Sequence, residues 1–161
     1  MKLFPTNTYT FKLFGEETEA LDRLKRRTEF SESLSSQCTD KSFRGIIDRN
    51  SFRIISSEIG KGALCVLTGK IENKTGEVKI EINKPFRILF SFILCFPLIG
   101  IALAIVVGRE EIPLLLPFIA ILQTLMIRFL FIEIAFRILS KRSLHKLRDV
   151  LDLETLKKNS N

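Results

Sequence analysis

The sequence predicts an α+β membrane protein: a small antiparallel β meander with one N-terminal helix, followed by a two-helix transmembrane hairpin that extends into a cytoplasmic C-terminal helix. Three observations carry this. Residues 88–107, ILFSFILCFPLIGIALAIVV, hold no charge over twenty positions, and at about 1.5 Å rise per residue they reach about 30 Å, the thickness of a bilayer hydrocarbon core. Residues 112–127 form a second uncharged run, and 129–132 extend it past Arg128, whose head can bend toward the interface. Residues 78–83, VKIEIN, alternate strictly between apolar and polar, the periodicity of a half-buried strand.

The part before the first run, residues 1–85, is expected to be a cytoplasmic β-rich domain. TYTFKLF (8–14) sets Tyr9, Phe11 and Leu13 against threonine and lysine, a strand pattern. EETEALDRLKRRTEF (16–30) places Leu21, Leu24 and Thr28 on one helical face, with acids leading and bases following as the helix dipole favours. Residues 31–41 are polar and loop-like. SFRGIIDRNSFRII (42–55) predicts two strands about the turn Asp48-Arg49-Asn50-Ser51, with Phe43, Gly45, Ile47, Phe52 and Ile54 on one side. Gly60-Lys61-Gly62 ends that strand, ALCVLTGKI (63–71) is the next, and NKTGE (73–77) turns into the alternating segment. The expected product is a meander of about four strands with one extra strand and a helix, one face covered.

Residues 86–139 are expected to be the hairpin, with spans 86–108 and 112–133 and a tip, 109–111, on the outer side. A link this short makes the helices antiparallel neighbours. Gly100, Ala104 and Gly108 recur every four residues, a small-residue stripe that admits another backbone closely; Ala120 and Thr124 are the counterpart in the second helix. The stripe can face its own partner helix or another copy of the chain. Pro97 frees the carbonyl of Ile93, which in lipid needs a donor, and Gln123 or Thr124 lies at matching depth. Orientation follows basic residues. Residues 1–87 carry net +4, the tip net −1 and 128–161 net +4, within a total of +7. Both termini are therefore expected in the cytoplasm. Lys84, Arg87, Arg128, Glu133, Arg137, Lys141 and Arg142 mark the membrane interface, with Glu133 and Arg137 four apart and Arg128 and Glu133 roughly 140° apart around an ideal helix.

Residues 140–161 read as a basic amphipathic tail whose Leu144, Leu147 and Leu151, with Leu156 beyond, can pack on the sheet, on lipid or on a copy of itself. The three cysteines, Cys38, Cys65 and Cys95, have an odd count and no regular spacing, which argues against a disulfide framework or a zinc site. His145 is the only histidine and stands among lysines and arginines. Residues 1–14 have no apolar stretch of the kind a cleavable signal needs, so the first span is expected to target the chain.

The succession FRGII, FRII, TGKI and TGEVKIEI, then two spans and a basic tail, resembles a widespread set of small uncharacterised bacterial membrane proteins. The resemblance covers roughly residues 42–140. It implies a multi-pass protein of the bacterial inner membrane with a compact cytoplasmic sheet, and it assigns no activity and no functional residue.

The expected function is a non-enzymatic, membrane-anchored interaction module. Its partners are the bilayer, anionic lipid heads or an unidentified protein, with homo-oligomerisation open; no cofactor, metal or nucleic acid is expected. The alternative is a subunit of an oligomeric channel or transporter, suggested by the small-residue stripe, Pro97 and Gln123.

Overall fold

The computed structural model describes residues 4–35, 39–58, 62–106 and 115–159, with the side chains of Ala104 and Leu116 excepted. The chain is α+β and divides into two compact units. One is built from the residues up to Asn83 together with those from Phe136 onward; the other is Lys84–Ala135.

The first unit is a seven-stranded mixed sheet in the order β2-β3-β4-β5-β6-β1-β7. The strands are β1 Thr6–Leu13, β2 Thr28–Phe30, β3 Phe43–Asp48, β4 Ser51–Ser56, β5 Cys65–Glu72, β6 Thr75–Ile82 and β7 Leu153–Asn159. β3 to β6 form the expected meander; the β3–β4 and β5–β6 turns are two residues long, with Arg49 and Asn73 at positive φ. The register puts one residue type per face. Phe11, Leu13, Phe43, Phe52, Ile54, Cys65, Leu67, Ile71, Val78, Ile80 and Ile82 are buried, and the pairs Ile54↔Leu67 and Leu67↔Ile80 show them on one side. The opposite face exposes Thr10, Lys12, Arg53, Thr68, Lys70, Glu77 and Lys79, and among the described residues only Ile55 and Val66 are buried on it.

Among the described residues, two α-helices belong to this unit, the second of them from Phe136 onward. α1, Glu17–Arg27, buries Ala20, Leu21 and Leu24 and keeps acids in its first turn and bases in its last. It carries the chain from β1, near one edge, to β2 at the other. α4, Glu133–Leu151, buries Phe136, Ser140, Ser143, Leu144, Leu147 and Leu151. The leucine stripe expected on the tail is thus interior to the sheet unit.

The sheet differs from the expected all-antiparallel meander in two places. Residues 28–30 leave the helix and form β2, parallel to β3; Thr28 ends α1 with extended φ and ψ, and β-branched Thr28 and aromatic Phe30 suit a strand better than a helix. Residues 153–159 leave α4 at Asp152, where φ is +55°, and pair with β1 as β7. Leu156, read as the end of a helical stripe, is a strand residue opposite Phe11. The segment 75–77 begins β6 rather than finishing a turn.

The second unit holds α2, Lys84–Val106, with Pro97 inside it, and α3, Leu115–Met126, which continues through a π-helical segment, Ile127–Ile132, into α4. α2 packs against α3 and touches the π segment, and Leu94, Ala120 and Ile132 are buried. Outward they expose large apolar residues, among them Phe92, Phe96, Leu103, Phe118 and Leu122. Two helical stretches, Lys84–Leu103 and Pro117–Leu151, are long and apolar enough to cross a membrane, and only 6% and 11% of their most apolar windows are buried within the chain. Helices forming the core of a water-soluble fold would be largely covered. The proposed tip, 109–111, with Gly108 and Pro113, lies outside the described residues.

Candidate anion-binding groove

Of the small residues, Gly108 and the side chain of Ala104 lie outside what the structure describes. A Cβ added to Gly100 would meet nothing within 4 Å, whereas Ala120 is 6% exposed. The Thr124 hydroxyl donates to the carbonyl of Ala120 at 2.9 Å, so it serves its own helix rather than the turn at Pro97. Gln123 lines, with Phe92, Ile93, Phe96, Pro97 and Ile127, a hollow of about 320 Å³ beside that turn.

Of the interface charges, Lys84, Lys141 and Arg142 are exposed at helix surfaces, Arg137 is exposed on α4, and Arg87 is half-buried on α2. Arg128 and Glu133 are drawn together, guanidinium to carboxylate at 3.7 Å. On a regular helix, residues five apart diverge; in the segment Ile127–Ile132 each turn is bonded i to i+5, so positions five apart come onto one side. The π segment is what makes this pair geometrically possible.

The sheet unit carries the strongest concentration of chemistry. Arg23, Arg26 and Arg27 of α1 line a groove of about 560 Å³ with Ser42, which precedes β3, and with Lys146, Asp149 and Val150 of α4. Helical periodicity explains the grouping. Arg23, Arg26 and Arg27 are spaced i, i+3, i+4 and flank the face on which Ala20 and Leu24 are buried. Lys146, Asp149 and Val150 repeat the spacing beside the buried Leu144, Leu147 and Leu151. Apolar burial of each helix thus sets the rotation that presents its basic flank.

These cations are held only loosely. Arg23 meets Asp152 at 3.6 Å, an aspartate 60% exposed. Lys146 Nζ lies 3.5 Å from Glu58 and donates to the Ser56 hydroxyl at 3.2 Å. Arg26 donates through Nε to the carbonyl of Asp22 at 3.4 Å. Ion pairs this exposed contribute little and exchange readily. Arg23 Nε is buried and has no hydrogen-bond partner among the described residues. The groove is therefore a concave, predominantly cationic surface with guanidinium donors still to satisfy, suited to an anion with several oxygens.

Cys65, at the start of β5, is fully buried, and burial pushes its thiol up to about 12; partial burial also raises the Tyr9 phenol. Among the described residues no three of His, Cys, Asp and Glu are grouped so as to hold a metal ion. Sequence reading assigned the bases of α1 to the helix dipole and missed the groove. The available signal was the i, i+3, i+4 spacing of three arginines beside a leucine face; that α4 would bring Lys146 to them is tertiary.

No family model, curated protein or solved structure matches the chain.

Proposed function

We propose that the chain is a small multi-pass protein of the bacterial inner membrane that acts as a membrane-anchored binding module: the α2–α3 hairpin is the anchor, and the sheet unit, with its basic groove, faces the cytoplasm and binds a partner. The observation that carries the reading is the outward apolar surface of two long helices in a chain whose other residues fold into a separate sheet unit. The excess of basic residues before the first span and after the second supports cytoplasmic termini.

The test is fractionation followed by labelling. The chain should stay in the membrane pellet through alkaline carbonate and be released only by detergent. A cysteine placed at exposed Lys158 should react with an impermeant maleimide only after the membrane is opened. Recovery in the soluble fraction sinks the anchor; labelling of intact cells sinks the orientation.

A second reading, a subunit of an oligomeric channel or transporter, draws on the open space at Gly100 and the amide of Gln123 beside Pro97. Cross-linking at exposed Cys95 separates the two: a chain that runs as a monomer in mild detergent and forms no Cys95 dimer defeats the oligomer.

A further inference from the structure

We infer that the groove between α1 and α4 is a binding site for a diphosphate-bearing ligand, an inference that rests on the sheet unit being the binding part of the anchored module. Charge sets the class. The lining carries four cations, Arg23, Arg26, Arg27 and Lys146, against one carboxylate, Asp149. A single phosphate monoester brings about −1.5 to −2 near neutral pH, which leaves about a third to a half of that excess unmatched; a diphosphate matches it. Size agrees: about 560 Å³ falls in the range of a small-molecule pocket, roughly 300–1,000 Å³. An extended acidic peptide calls for a longer furrow. Donor geometry agrees as well. Three planar guanidinium forks on one helix can each grip a phosphate face with two parallel N–H bonds, where lysines would act as point charges. Arg23 has a buried Nε without a hydrogen-bond partner among the described residues, and Ser42 and Lys146, which also carry donors, line the same groove. The pairs that hold Arg23 to Asp152 and Lys146 to Glu58 are long and exposed, so a diphosphate can displace both carboxylates without opening the fold.

Two sources offer this chemistry: a lipid whose head is itself a diphosphate monoester, and a free diphosphate. The probe for both is inorganic pyrophosphate, titrated calorimetrically into the full chain held in nanodiscs of phosphatidylcholine doped with phosphatidylglycerol, and in discs of the same surface charge in which a polyprenyl diphosphate replaces part of the phosphatidylglycerol. Saturable binding is expected in the first. Weakening in the polyprenyl diphosphate discs assigns the site to a lipid head; unchanged binding assigns it to a soluble diphosphate; both uphold the inference. Arg27→Gln and Lys146→Gln, at solvent-accessible positions that leave the apolar core intact, should each weaken pyrophosphate about tenfold, as loss of a charge-assisted contact implies. Lys70→Gln on the open face of the sheet should change it less than twofold. Melting curves show whether each variant is folded, and Arg26→Gln replaces any that is not. Absence of saturable binding to the wild-type chain overturns the site, as does equal weakening by Lys70→Gln. The anchor is judged separately: a chain that resists carbonate yet ignores pyrophosphate refutes this inference and leaves the membrane reading standing, and a soluble chain that binds it does the reverse.

Discussion

Two glycines in the sheet exist to be covered by aromatic rings. Phe52 pairs across the ladder with Gly69, and Phe11 pairs with Gly76. A Cβ at Gly69 would lie 2.3 Å from Cζ of Phe52 and 2.9 Å from the Glu77 carbonyl; at Gly76 it would lie 2.4 Å from Cζ of Phe11 and 2.7 Å from the Lys70 carbonyl. Both rings are about 2% exposed and wedged in the core, so they cannot swing aside cheaply. Gly69→Ala and Gly76→Ala should each destabilise the sheet unit by about 1–3 kcal/mol, the usual cost of overpacking. Combining Gly76→Ala with Phe11→Leu should cost less than the sum of the two; strict additivity in denaturant melts argues against the ring as the obstacle. Cys65 gives a pH prediction. Its thiol ionises near 12 in the fold against an ordinary 9.0, so as pH rises the unfolded chain loses its proton first and gains stability relative to the fold. Stability should be unaffected by this group below about pH 9 and should fall from there toward pH 12, with the raised Tyr9 phenol acting in the same direction. Melting temperatures taken between pH 8 and 10.5 should decline less steeply in Cys65→Ala; parallel slopes count against the assignment.

At the scale of elements, the π segment Ile127–Ile132 earns its place by bringing Arg128 to Glu133. Their side chains are only 16% and 29% exposed, so removing one charge strands the other in a poorly solvated setting. Arg128→Leu and Glu133→Gln should each lower the melting temperature in detergent, and the double variant should recover part of the loss, with a coupling of about 1 kcal/mol. A coupling near zero shows the pair to be incidental. This element also marks how far the sequence could be read. The two apolar helices and the β3–β6 meander were legible, because uncharged runs and period-two alternation such as Val78, Ile80 and Ile82 are local signals. The Arg128–Glu133 pair was not, since ideal helix geometry separates positions five apart and nothing local announces a π turn. β2 was hidden by continuity of composition with α1, and β7 by a leucine spacing that serves a helix up to Leu151 and a strand from Leu153. The groove failed for a further reason: half of it comes from α1 and half from α4, more than a hundred residues on.

At the scale of the whole molecule, the sheet unit is assembled from both ends of the chain. β7 pairs along β1, from Thr8↔Asn159 to Leu13↔Leu153, and α4 supplies Phe136, Leu144, Leu147 and Leu151 to the interior. A fragment ending at Asn83 lacks all of these. It would expose the edge of β1, where Lys12 pairs with Glu154 in the intact chain, and would uncover apolar residues of the sheet's covered face. Burying four such side chains contributes on the order of 6–12 kcal/mol, comparable to the entire stability of an ordinary domain. The fragment is therefore expected to be unfolded or aggregated. A chain in which Lys84–Ala135 is replaced by a long flexible Gly/Ser linker keeps every residue of the sheet unit and should fold as a water-soluble protein, because the apolar surface of α2 and α3 leaves with the excised segment. Far-ultraviolet circular dichroism and amide dispersion distinguish the two: well-dispersed spectra from the linker chain and collapsed ones from the fragment are expected. Folding of the fragment ending at Asn83 would show that α4 and β7 dock onto a sheet already stable without them. Failure of the linker chain would show that the sheet unit depends on the helices of the hairpin, and the division into anchor and binding part would have to be abandoned.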